Sequence, residues 1–135
     1  MFNKSFNNIN YMSKALDGLW KRNEAINNNI ANVNTPGYKK RKVEFEDELR
    51  NELINRKVEL TRTNKKHIKV GNIHKKFNPQ FVRENGYSTR KDGNNVNIDV
   101  EMADLAKNTM MYNSVTRQVS SEINKLRSII NEGGR

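Results

Sequence analysis

Residues 9–39 read INYMSKALDGLWKRNEAINNNIANVNTPGYK. Within them Ile9, Met12, Leu16, Leu19, Asn23, Ile26, Ile30 and Val33 step by three and four without a break. That spacing puts all eight on one face of a helix, as a heptad stripe with a single polar member. It predicts a helix over about Ser5–Val33, roughly 43 Å long at 1.5 Å per residue. Asn23 either fixes register and partner number or is a tolerated polar residue, and the stripe alone leaves both open. The helix exit is written in Asn34-Thr35-Pro36-Gly37-Tyr38. Proline pushes Thr35 to an extended conformation, and Pro36-Gly37 suit the two central positions of a type II turn. Ala31 permits close helix approach, and the amides of Asn28, Asn29, Asn32 and Asn34 can bond carbonyls exposed at the turn. A helix stop needs only the proline and glycine; the run of asparagines is far more specific.

The other end of the chain repeats the pattern. Met102, Leu105, Thr109, Tyr112, Thr116, Val119, Ile123, Leu126 and Ile130 again step by three and four. No Gly or Pro interrupts Val100–Glu132, and Gly133-Gly134 mark the stop. Asp99, Glu101 and Asp104 near the start, with Lys125 and Arg127 near the end, suit the helix dipole. Two long helices with narrow apolar stripes are expected to bury them against each other or a neighbouring chain, as a coiled coil that gains order on assembly. Trp20, just off the stripe beside Leu19, is expected to be a packing anchor within or between chains.

Composition narrows the function. The chain has 135 residues, 34% hydrophobic and 30% charged, with a formal net charge of +10 and no cysteine. Few apolar residues do not suit a large enzyme with a deep dry core; a helical interaction protein, a basic nucleic-acid binder or a partly disordered chain remain. Absence of cysteine rules out a disulfide framework and a thiol nucleophile. No run of about 18 apolar residues predicts a membrane span, and the Asn-rich Met1–Met12 does not read as a cleaved signal. The charge is uneven: +2 over Met1–Tyr38, +9 over Lys39–Lys91 and −1 over Asp92–Arg135. These are also the three expected segments: 1–38 for the first helix and turn, 39–91 for a basic middle, 92–135 for the second helix. Lys39-Lys40-Arg41-Lys42, Lys65-Lys66 and Lys75-Lys76 lie far apart, and Glu44, Glu46, Asp47 and Glu48 come directly behind the first cluster. A solvated surface, or a patch for an acidic protein partner, explains them better than phosphate contacts.

The middle is weakly patterned. Val43, Phe45, Leu49 and Leu53 predict a short amphipathic helix over Val43 to about Val58. Ile68/Val70, Phe77 and Phe81/Val82 suit short strands or extended chain, with turn signals at Asn85-Gly86 and Asp92-Gly93. The fold class is therefore mainly α: two long terminal helices pairing as a coiled coil, a short helix, and a weakly structured middle with room for β-strands.

The run Ile30–Lys39, Ile-Ala-Asn-Val-Asn-Thr-Pro-Gly-Tyr-Lys, preceded by Arg22 and Ile26, resembles the N-terminal signature of the flagellar rod, hook and hook-associated axial proteins. Arg41–Leu53 is similar to the segment just past that signature in the same proteins. Asp92–Thr109 contains Asp92, Gly93, Asn94, Asn95 and Val96, then Glu101 and Met102. This run, continuing to Arg127, resembles a short proximal-rod member of the family. The likeness covers about Ile9–Leu53 and Asp92–Ile130. It departs at Asn97, where the family commonly has Asp, which removes one charge where the second helix begins.

The resemblance implies a structural subunit, not an enzyme. Such proteins are exported through the flagellar type III apparatus without a cleaved signal, and pack helically in the periplasmic rod through paired terminal helices. The implied partners are other copies, other rod subunits, the rod adapter protein, and membrane-ring and export-gate components. No cofactor, metal, nucleic acid or small-molecule substrate is expected. His67 and His74 stand in a weakly patterned segment without carboxylates at ligand spacing. Asp92–Asp99 lacks the sixth-position glycine and twelfth-position glutamate of a calcium loop. The rival readings are a basic nucleic-acid-binding helical protein and a soluble coiled-coil scaffold.

Overall fold

The computed structural model describes residues 2–55, 77–84, 86, 88 and 90–132. Its elements run α1 (Phe2–Ala31), β1 (Arg41–Glu44), α2 (Glu46–Asn55), β2 (Gln80–Arg83) and α3 (Ile98–Glu132). The fold is mainly helical, as expected, with one antiparallel strand pair. Residues 56–58 of the expected middle helix, both histidines, Ile68/Val70, the later Lys pairs, Asn85 and Gly133-Gly134 lie outside the described residues.

The helices α1 and α3 run antiparallel. Near the exit of α1, Asn29 bonds Glu101; farther back, the Leu19 carbonyl accepts from Asn108, and Val115 packs on the cluster holding Tyr11 and Ala15. At 1.5 Å per residue they are about 45 and 52 Å long. Each starts two or three residues before its expected position. The first also stops at Ala31 rather than Val33, because the carbonyls of Asn32 and Val33 are turned to a side-chain amide instead of a further helical turn. Asn97 caps α3: its Oδ1 accepts from the N–H of Asp99 at 3.0 Å, and its carbonyl accepts from that of Glu101. The missing charge at this position therefore leaves the cap intact, since Asn and Asp cap about equally well.

The expectation that α1 has only α3 or a neighbouring chain to pack on needs correction. Val43, Phe45 and Leu49 of the middle are buried in one cluster with Leu19 and Ala25, and Phe77 meets Phe45 edge to face at 6.4 Å. The expected helix over Val43–Val58 is likewise a strand and then a helix. Alternation in Arg41-Lys42-Val43-Glu44 buries only Val43, which suits a strand lying on α1. The helix α2 begins after it, where Glu46, Asp47 and Glu48 meet the positive end of the dipole. In the sheet, Arg41 pairs with Arg83 and Glu44 with Gln80.

Gly18 makes this packing possible. A Cβ there would collide with Cδ2 of Phe45, so only glycine lets the ring lie against the α1 backbone. Arg22, one turn on, lies over that ring at 4.7 Å. It also donates to the Val43 carbonyl at 2.9 Å and contacts both carboxylate oxygens of Glu46, at 2.6 and 2.7 Å. Burial opposes the charge of Glu46, but the Arg22 hydrogen bond and nearby backbone N–H groups outweigh it and hold its pKa below the ordinary value.

Candidate functional site

The exit of α1 is closed by side chains from two distant parts of the chain. The Thr35 carbonyl accepts from the N–H of Tyr38 at 3.3 Å across Pro36-Gly37, and Gly37 has φ +71°, as a type II turn requires. The Gly37 N–H donates to the Asp92 carbonyl at 2.7 Å, and Gly93, with φ +75°, faces it closely: a Cβ there would lie 3.7 Å from Gly37 Cα.

Two buried asparagines do most of the bonding. Asn29, on the last turn of α1, is 0% exposed. Its amide donates to the Arg41 carbonyl (2.8 Å) and Glu101 Oε2 (3.0 Å), while its Oδ1 accepts from the Arg41 N–H (2.9 Å) and the Tyr38 hydroxyl (3.2 Å). All four hydrogen-bonding positions of one side chain are used. Together with Arg22 it takes up three polar groups on the β1 edge that faces α1, the Arg41 N–H and carbonyl and the Val43 carbonyl. Asn94 works from the other side. Its amide donates to the carbonyls of Asn32, Val33 and Thr35 at 2.9–3.0 Å, and its Oδ1 accepts from the Val96 N–H. These are helix-end carbonyls with no intrahelical donor. Asn95 ties the sheet to the same loop, accepting from the Lys40 N–H at 2.7 Å and donating to the Glu84 carbonyl at 3.0 Å.

Glu101 is 0% exposed and sits 2.5 Å from the Lys40 ammonium. The sequence reading gives it to the helix dipole and to the motif before Met102; the structure makes it a buried ion-pair partner. The neighbouring Asp92 is held below its ordinary pKa first by the Asn94 N–H at 3.0 Å, with Arg90 adding to it at 2.8 Å. Of the Lys39–Lys42 cluster, Lys39 donates to the Gly93 carbonyl, Lys40 pairs with Glu101 and Lys42 with Glu84. Three of four charges are thus engaged inside the fold.

The expected stripes divide by burial. On α1, Leu19 and Ile26 are buried, and Ile9, Met12, Leu16, Asn23, Ile30 and Val33 half-buried. Asn23 accepts from Asn27 on its own helix. In the turn Asn29 is buried, Asn32 and Tyr38 half-buried, and Ala31, Asn34, Thr35, Pro36 and Gly37 exposed. On α3, Leu105, Val119 and Leu126 are half-buried, while Met102, Thr109, Tyr112, Thr116, Ile123 and Ile130 are exposed. The face that α3 turns inward passes instead through Glu101, Leu105, Asn108, Val115, Val119, Glu122 and Leu126, one residue round the helix. Polarity hid it, because Glu101 and Asn108 are buried only by virtue of specific partners. Trp20 is 63% exposed, too open for a packing anchor among the described residues. Among the described residues no cluster of three or more His, Cys, Asp or Glu stands ready for a metal ion, and no helix is long and apolar enough to cross a membrane.

The described residues thus form a long helix hairpin whose Asn-rich exit is clamped by the second helix's leader. Residues 15–39, ending just past the turn, match the family described as flagella basal body rod protein. Across nearly its full length the chain is 30% identical to the flagellar basal body rod protein FlgB of Bacillus subtilis, covering 93% of this chain and 94% of that one. It is 36% identical to the FlgB of Borrelia hermsii (80% and 84%) and 30% identical to that of Aquifex aeolicus (93% and 94%). The chain belongs to the FlgB family of flagellar basal body rod proteins.

Proposed function

We propose that this chain is a structural subunit of the proximal rod, built into it through its paired terminal helices. Export by the flagellar type III apparatus, without removal of a signal, would deliver it to the periplasm. There it would meet other rod subunits, the rod adapter, and membrane-ring and export-gate components.

The observation that carries this reading is the column Met102, Thr109, Thr116, Ile123 and Ile130, exposed at seven-residue intervals on a helix whose adjacent face is already occupied by α1. Thr109 and Thr116 turn their hydroxyls back to the carbonyls of Leu105 and Tyr112, at 2.8 and 2.9 Å. Their polar demand is met within the helix, and the outward surface is left to methyl groups. An α3 with one seam filled and a second open suits a subunit that adds neighbours. Engagement of Lys39, Lys40 and Lys42 inside the fold weighs against a phosphate-binding role.

Deleting the gene and restoring it in trans is the test. Cells lacking it should build no hook or filament, the chain should restore both, and Ile123→Asp should not, despite unchanged helix content. Normal flagella in the deletion strain would remove the reading.

A further inference from the structure

A pocket of about 280 Å³ opens between α1, β1 and α3. Ala25, Ile26, Val43 and Met111 give it apolar walls, and Asn108, 2% exposed, lines it and holds a buried Oδ1 that accepts no hydrogen bond. Arg41 and Lys107 line it too, and among the described residues neither of their side chains has an ion-pair partner. Glu101 and Asn108 of its lining also serve the helix pairing, whereas the open column on α3 lies outside it.

On the opposite side of α1 stands the chain's single tryptophan. At 3.6 residues per turn, Trp20 lies about half a turn from the face carrying Arg22, Ala25 and Ile26. Asp17 and Glu24, three residues before and four after it, share its column; both carry no ion pair among the described residues. Glu46, Glu101 and Asp104 also line the pocket but lie within 4 Å of Arg22 or Lys40. Among the described residues its unpaired charges are Arg41 and Lys107 against Glu44, a positive balance that an exposed indole between two carboxylates complements. The indole N–H is a donor only, matching Asn108 Oδ1, and its ring face suits the neighbouring cations.

We propose that this pocket receives Trp20 of a second copy of the chain, with Asp17 and Glu24 meeting Lys107 and Arg41. Socket and knob lie on opposite faces of one helix, so the contact is head-to-tail and repeats from copy to copy instead of closing a dimer. The proposal rests on the reading of the chain as a self-assembling rod subunit, and adds the residues that join copies.

The absence of cysteine makes a cross-link test clean. In cells carrying Asp17→Cys together with Lys107→Cys, mild oxidation should give a ladder of covalent multimers. The ladder should need both cysteines and vanish when Trp20→Ala is added. Lys107→Glu should impair rod completion, and Asp17→Lys in the same chain should recover it. If the unaltered chain restores motility to the deletion strain while Trp20→Ala restores it equally and no ladder forms, the contact is overturned and the rod reading stands. If the unaltered chain fails to restore motility, the rod reading falls, and fluorescence of purified protein decides the contact. A shift of Trp20 emission to shorter wavelength with concentration, absent in Met111→Arg, supports it; constant emission overturns it.

Discussion

The amide of Asn29 and the carboxylate of Glu101, 72 residues apart in sequence, meet at 3.0 Å with neither side chain exposed to solvent. The contact joins the last turn of α1 to the first turn of α3. It sits where a hydrophobic seam would ordinarily run, so the two helices are registered by polar geometry more than by apolar fit.

Replacing Asn29 by Ala strands the Arg41 N–H and carbonyl, the Tyr38 hydroxyl and one Glu101 oxygen. An unsatisfied buried group costs about 1–3 kcal/mol; with some reached by water, the expected loss is about 3 kcal/mol in urea unfolding. Tyr38→Phe, which removes one of these bonds, should cost about 1 kcal/mol.

Lys40→Met leaves the Glu101 carboxylate buried without its cation. Breaking such a pair from one side costs about 3–5 kcal/mol, whereas exchanging both partners for apolar residues of similar size is often near neutral. The double variant Lys40→Met/Glu101→Met should therefore unfold at a higher urea concentration than Lys40→Met alone.

The ring of Phe45 and Gly18 should be energetically coupled. Gly18→Ala is expected to destabilise by about 1–3 kcal/mol, as overpacking does, although alanine is the better helix former. In Phe45→Leu the same change should cost less, and a double-mutant cycle measures the difference.

At Gly37 a Cβ would meet nothing within 4 Å, so any cost of substitution comes from the positive φ. Gly37→Val should lose about 2 kcal/mol or more and fail to support motility. Gly37→Asn, which tolerates this backbone region, should remain close to the parent chain in both melting temperature and swimming.

Asp92 sets an acid limit. Its folded pKa lies below its ordinary 3.8, so its contribution is fully present above that value and is lost as pH falls through the folded pKa. Thermal melts between pH 5 and 3 should show Asp92→Asn starting lower and declining less steeply than the parent.

Much of the fold is legible from spacing. Heptad steps mark both long helices, and Pro36-Gly37 marks the turn to the residue, because apolar period and backbone restriction are local properties. The inward face of α3 is not legible this way. It carries Glu101 and Asn108, whose burial depends on Lys40, Asn29 and the Leu19 carbonyl arriving from elsewhere in the chain. The role of Gly18 is hidden for the same reason: nothing nearby in sequence announces Phe45. Asn94 is visible as a motif member, but not as the donor for three carbonyls some sixty residues away.

That last arrangement sets an order of events. A chain synthesised or threaded from its N-terminus presents α1 and the turn first, while the amide that stoppers α1 and the carboxylate that meets Asn29 are still to come. Closing so long a loop is entropically slow. Until residue 101 is free, the leading half of the molecule holds only the packing of Val43, Phe45 and Leu49 on α1, and the exit of α1 stays pliable for as long as the tail is held back.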